Sequence, residues 1–146
     1  IPNSVVTIAP NAFSECSNVK SLTIGNGLKS LGMGAFAYCS KLETIEINSE
    51  KIENFGVDVF AKTLYTKNAE WINDGIYIGD YLIEARNVDN DFVFKDGIKN
   101  FSGVFFQNSE VTNITIPDTV IGLSDYAFSG CESLKCFTII VYTSPK

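Results

Sequence analysis

Three of the four cysteines, Cys16, Cys39 and Cys131, are each preceded by Ala-Phe and two further residues. A thiol at a fixed interval can be a nucleophile, a metal ligand or half of a disulfide, and each of these roles needs partners. The chain of 146 residues contains no histidine, so Cys-His and Ser-His-Asp catalysis and His-metal sites cannot be assembled from its own side chains. Cys131 and Cys136 lie close in sequence, but no second pair completes a tetrahedral metal site. The places equivalent to the three cysteines in weaker copies of the pattern are Thr63 and Ser109. A position filled by Cys, Ser or Thr calls for a small side chain with a weak donor at a bend, not for sulfur as such. A separation of roughly 5 Å between stacked segments would permit a Cys16–Cys39 disulfide. The recurrent slot favours free thiols instead. Cys136 stands where other copies carry Ser21, Thr44 and Asn113, and is expected to be exposed and open to oxidation.

Other candidate chemistry is thinner. Asp89-Asn90-Asp91 with Asp96-Gly97 offers clustered oxygens for a hard cation. The EF-hand spacing fails, however, because Val93 and Asn100 occupy two ligand positions, and a solvated acidic turn is expected. Asn100-Phe101-Ser102 and Asn113-Ile114-Thr115 fit the glycosylation triplet; Asn113 falls in mid-strand, and neither is taken as a site. No phosphate loop, no Gly-x-Ser-x-Gly and no enforced carboxylate pair is present. No catalytic residue, metal or cofactor is therefore assigned. With 17 Asp+Glu against 11 Lys+Arg, including the single arginine Arg86, the surface is expected to repel nucleic acid. No apolar run approaches the roughly 20 residues of a bilayer span. The chain starts at Ile1 and is expected to be a processed chain or an excised domain.

The elements that position these residues come from an internal repeat. Ile1, Val5, Ile8, Ala12-Phe13, Cys16, Val19 and Leu22 are followed by Ile24, Leu28, Leu31, Ala35-Phe36, Cys39, Leu42 and Ile45, a period of 23 residues. A third pass, one residue longer in its first half, runs Ile47, Ile52, Phe55, Val59-Phe60. The pattern returns as Phe94, Ile98, Phe101, Phe105-Phe106, Ser109, Val111, Ile114 and as Ile116-Pro117, Val120, Leu123, Ala127-Phe128, Cys131, Leu134, Phe137, Ile139. The copies span residues 1–23, 24–46, 47–63, 94–115 and 116–139 of a single domain, with an insert at 64–93. Segments such as Leu42-x-x-Ile45-x-Ile47 alternate with strand periodicity, and each Ala-Phe-x-x-Cys half is short enough for only a helical or 3₁₀ turn or an irregular return. A lone coil of this kind cannot bury its own apolar side chains. The coils must stack into an α/β solenoid with short parallel strands on one face. Phe13, Phe36, Phe60, Phe106 and Phe128 are predicted to form one column of rings.

The pattern Ile-Pro-x-x-Val-x-x-Ile-x-x-x-Ala-Phe-x-x-Cys-x-x-Leu-x-x-Ile-x-Ile resembles the treponemal, BspA-like class of leucine-rich repeats, closely in residues 1–47 and 116–139 and less so in 47–63 and 94–116. The resemblance implies a right-handed solenoid in surface-exposed or secreted proteins of host-associated bacteria and some protozoa. It implies adhesion and protein binding without enzymatic activity.

Within the insert, Ile76-Tyr77-Ile78, Gly79-Asp80 and Tyr81-Leu82-Ile83 read as a β-hairpin with a type II′ turn. Trp71 and the tyrosines are expected to pack on the solenoid edge; a protruding aromatic contact loop is the other reading. On the sheet face, Ser21, Thr23, Thr44, Glu46, Asn113, Thr115 and Thr138, with Cys136, are expected to point outward as a flat platform of small polar groups, which lose little entropy when covered. Threonine is also simply a good strand former on a wet face. The expected partner is a host or surface protein, or a glycan. The alternative role is a structural spacer without binding of its own. Neither end of the pattern resembles a polar cap, so flanking repeats or end-to-end self-association are expected.

Overall fold

The computed structural model describes residues 1–86, 90–103, 110–124 and 126–140. It is a β-solenoid of about five turns, mostly strand with little helix. In the N-terminal region the first two coils contribute two short strands each and the third contributes one. One set comprises β1 (Thr7–Ile8), β3 (Ser30–Leu31) and β5 (Asn54–Phe55), which pair in parallel as one sheet. The other comprises β2 (Ser21–Ile24) and β4 (Thr44–Ile47), paired Ser21↔Thr44, Leu22↔Ile45, Thr23↔Glu46 and Ile24↔Ile47. The register reproduces the repeat. Where the third pass gains a residue, β3 still pairs in step with β5, Leu31 opposite Phe55.

The expectation of strands on one face accounts for β2 and β4 but not for the sheet of β1, β3 and β5. Ile8, Leu31 and Phe55 belong to the apolar pattern, yet two-residue strands are too short to show alternation.

The Ala-Phe-x-x-Cys returns are not helical. In the first, the amides of Asn11, Phe13 and Glu15 donate to the carbonyls of Met33, Ala35 and Ala37 in the next coil, while those of Ala12, Ser14 and Cys16 donate within their own coil. Gly34, Phe36 and Tyr38 repeat the pattern toward Val57, Val59 and Ala61. This alternation requires left-handed backbone at fixed places: Asn11 and Glu15, Gly34 and Tyr38, Asp58 and Lys62, Tyr126 and Gly130 all have positive φ. A helical turn would point these donors back along its own axis. The irregular return spends them on the neighbouring coil and keeps the stack hydrogen-bonded. The helix α1 (Leu64–Asn68) follows the third return, its first turn capped by the Thr63 hydroxyl, which accepts from the Thr66 amide at 3.2 Å.

Phe13 stacks on Phe36 at 5.2 Å and 7°, and Phe36 on Phe60 at 5.7 Å and 11°. Phe106 lies outside the described residues. Phe128 meets Phe101 at 5.8 Å and stacks on Phe137 at 6.1 Å. Among the described residues the core forms two clusters, with Phe60 in one and Phe128 packed against the other. Leu22, Ile24, Leu28, Leu31, Phe36, Leu42, Ile52 and Phe55 belong to one cluster; Phe92, Phe94, Ile98, Phe101, Val111, Ile114 and Ile116 belong to another.

Between the clusters run β6 (Gly75–Ile78) and β7 (Tyr81–Ala85), paired antiparallel, with Gly79 at φ 57° in the connection. Ile76, Ile78, Tyr81 and Ile83 join the first cluster, and Tyr77, Leu82 and Ala85 join the second. The pair is a wall shared by both cores rather than a flap on the edge. That role explains its unbroken apolar run, since a strand covered on both faces has no polar side. Beyond it, β9 (Asn100–Phe101) pairs in parallel with β7. The strands β8 (Asn90–Phe92), β10 (Val111–Ile116) and β11 (Cys136–Ile139) form the last parallel sheet.

Candidate functional site

The outward residues of the strands are set by alternation over the core. In β2, Leu22 and Ile24 are buried while Ser21 and Thr23 are exposed; in β4, Thr44 and Glu46 are exposed beside buried Ile45. Pairing places Ser21 beside Thr44 and Thr23 beside Glu46. In β10, Asn113 and Thr115 are exposed over buried Ile114 and Ile116. They stand opposite Cys136 and Thr138 of β11. Neighbouring strands put members of a row about 4.8 Å apart.

Among the described residues these rows lie on two sheets. Among these residues, the sheet of β2 and β4 is not hydrogen-bonded to the sheet of β8, β10 and β11, and β6 and β7 stand between their cores. On β11, Phe137 and Ile139 are exposed along with Thr138, because that strand is the last of its sheet. Asp91 joins the face of the second sheet although it lies in the stretch that does not follow the repeat. It pairs with Asn113, whose side-chain amide donates to its carboxylate at 2.7 Å. The signal for it was Phe92-x-Phe94, which matches Ile114-x-Ile116 in spacing. A groove of about 620 Å³ continues this face between Asn113, Thr115, Asp91, Asp96 and Asp118.

The cysteine slot does what its composition called for. The buried Cys39 thiol donates to the Phe13 carbonyl of the preceding coil at 3.2 Å, and the Thr63 hydroxyl donates to the Phe60 carbonyl at 2.9 Å. Burial pushes the Cys39 and Cys131 thiols upward in pKa, so at neutral pH they are protonated thiols rather than nucleophilic thiolates. None of the four cysteines is in a disulfide, and Cys136 is exposed. Among the described residues, no three His, Cys, Asp or Glu side chains converge on a metal-sized site, and no helix is long and apolar enough to cross a membrane. Asp89 lies outside the described residues. Asn100 is buried and committed to the core, where its amide donates to the carbonyls of Ile52 and Glu53.

The insert aromatics divide. Tyr81 and Tyr77 are buried, the Tyr81 hydroxyl donating to the Ser49 carbonyl at 2.7 Å. Trp71 is 41% exposed.

Stacked coils with in-register parallel strands and one phenylalanine per return define a leucine-rich-repeat type of solenoid. The BspA type leucine rich repeat region matches residues 1–110 and 99–143 in six copies, and the chain belongs to that family. No curated protein matches it. Similar solved structures include the leucine rich repeat protein TpLRR of T. pallidum, 19% identical over 89% of this chain and 50% of that one, with a TM-score of 0.46. A leucine-rich repeat protein of Eubacterium ventriosum is 25% identical, covering 92% and 29% of the two chains (TM-score 0.42). A leucine rich cell surface protein of Faecalibacterium prausnitzii is 24% identical, covering 99% and 32% (TM-score 0.43). The chain thus spans half or less of these structures' length.

Proposed function

We propose that this right-handed solenoid, with β6 and β7 as an inserted hairpin, is a non-enzymatic protein-interaction or adhesion module of a bacterial cell-surface or secreted protein. Ser21, Thr23, Thr44, Glu46, Asn113, Thr115 and Thr138 are its contact residues. The observation that carries this reading is the pairing of Ser21 with Thr44, Thr23 with Glu46 and Thr115 with Thr138, which sets short polar side chains in rows on open sheet faces. Such rows present no large anchor. Affinity per module is modest, and repetition along a longer protein raises it by multivalency. Membership of the BspA type leucine rich repeat family supports the surface location.

The test is binding of the chain to immobilised host matrix proteins and glycans. Thr23→Lys with Thr44→Lys, and separately Thr115→Lys, should reduce retention at least tenfold while the melting temperature stays within a few degrees. Retention unchanged in all variants, or none by the unmodified chain, would refute the assignment. Replacing these residues in the parent by an unrelated rigid segment of equal length separates adhesion from spacing, because adhesion would survive only if they are a spacer.

A further inference from the structure

A second surface differs in chemistry from the strand faces. A groove of about 550 Å³ lies where the third coil meets β7, and its lining includes Tyr38, Lys62, Lys67, Trp71, Glu84 and Arg86. That volume is in the range of small-ligand sites. Trp71 is the only tryptophan of the chain, and both it and Tyr38, 56% exposed, offer ring surface to solvent. The Arg86 guanidinium lies 5.2 Å from the Trp71 ring centroid and is ion-paired with Glu84, so the ring and the cation hold one another in place. Lys62 and Lys67 are exposed and have no ion-pair partner among the described residues. Asp58 is the other carboxylate of the lining among the described residues.

The charge balance is the telling feature. The chain carries net charge -6, yet here, among the described residues, three of its eleven cations face two carboxylates, one of them already bound to Arg86. Unpaired lysines beside exposed rings, on a protein whose remaining surface is acidic, select an anionic ligand that also has an apolar face. We infer that this groove binds a saccharide bearing carboxylate or sulfate groups, its ring packed on Trp71 and Tyr38 and its anionic group held by Lys62 and Lys67. A flat pyranose face of C–H groups matches an aromatic ring, and ammonium groups pair with either anion as point charges. This site is separate from the strand-face rows and stands or falls independently of them.

Because Trp71 is the sole indole, its fluorescence reports on the groove directly. The chain is titrated with a heparin-derived tetrasaccharide, a galacturonate tetramer, neutral maltotetraose and inorganic sulfate. A saturable change with either or both anionic oligosaccharides, weakened severalfold by raising salt, supports the inference; both carry carboxylates, so a response to the heparin fragment alone points to sulfate. Lys62→Gln with Lys67→Gln, both at exposed positions and with Trp71 intact, should weaken that response at least tenfold without altering the circular dichroism spectrum. No response to either anionic oligosaccharide overturns the inference. So does an equal response to maltotetraose or to sulfate alone, or an undiminished response in the lysine variant.

Discussion

Replacing Phe36 with alanine removes the middle ring of the column formed with Phe13 and Phe60. Phe36 is 3% exposed and has a parallel ring on each face. A phenylalanine buries about 150–250 Å², which at about 25 cal/mol per Å² is roughly 4–6 kcal/mol, an upper figure because the unfolded chain already hides some of that area. Measured Phe→Ala costs of about 3–5 kcal/mol agree, so about 4 kcal/mol is expected. Phe13 has the same chemistry but ends the column, with one ring neighbour and 39% exposure; Phe13→Ala should cost about half as much, roughly 2 kcal/mol. Phe36→Leu keeps most of the volume and loses the stacking, for about 1–1.5 kcal/mol. The assay is urea unfolding with the slope compared between variants, backed by thermal melting, where about 4 kcal/mol in a chain of this size is a shift of roughly 8–16 °C. Equal losses at Phe13 and Phe36, or a Phe36→Ala shift no larger than that of the surface change Lys41→Ala, would refute the stacked-coil account of stability.

Asn100→Ala leaves the Ile52 and Glu53 carbonyls and the Phe101 amide without their buried partner, and is expected to cost about 3 kcal/mol in urea unfolding; Asn100→Asp, which cannot donate, should be no better. Gly27→Ala would drive a methyl group into the Asn3 carbonyl of the adjacent coil and lose about 2–3 kcal/mol, whereas Gly79→Ala meets nothing and costs only the roughly 1 kcal/mol of its left-handed backbone; equal melting temperatures for the two would contradict the close approach of coils. Burial raises the pKa of Cys39, Cys131, Tyr65, Tyr77 and Tyr81 above the ordinary 9.0 and 10.0. The native state therefore holds these protons longer than the unfolded chain, so stability is full below pH 9.0 and falls as the pH rises through the thiol and then the tyrosine range. Unfolding midpoints that stay flat through that range would contradict the burial. Thiol labelling at neutral pH should modify Cys136 first and Cys39 last, as mass spectrometry of quenched samples can check.

The sequence alone determined the repeat, the pairing of Leu22 with Ile45 and Ile114 with Phe137, and the alternation that turns Thr23 and Thr115 outward, because these depend only on a period and on the need of each coil to bury its apolar side. It also determined that Cys39 and Thr63 serve as small donors, since a slot shared by Cys, Ser and Thr has few other uses. It did not disclose the sheet of Thr7–Ile8, Ser30–Leu31 and Asn54–Phe55, whose strands are shorter than any periodicity can register. Nor could it show that Gly75–Ile78 and Tyr81–Ala85 stand as a wall between separate cores, or that Lys62, Trp71 and Arg86 share a groove. Those facts depend on which side chains lie opposite each other after distant segments pack, and a break in a repeat gives no period from which to reckon that.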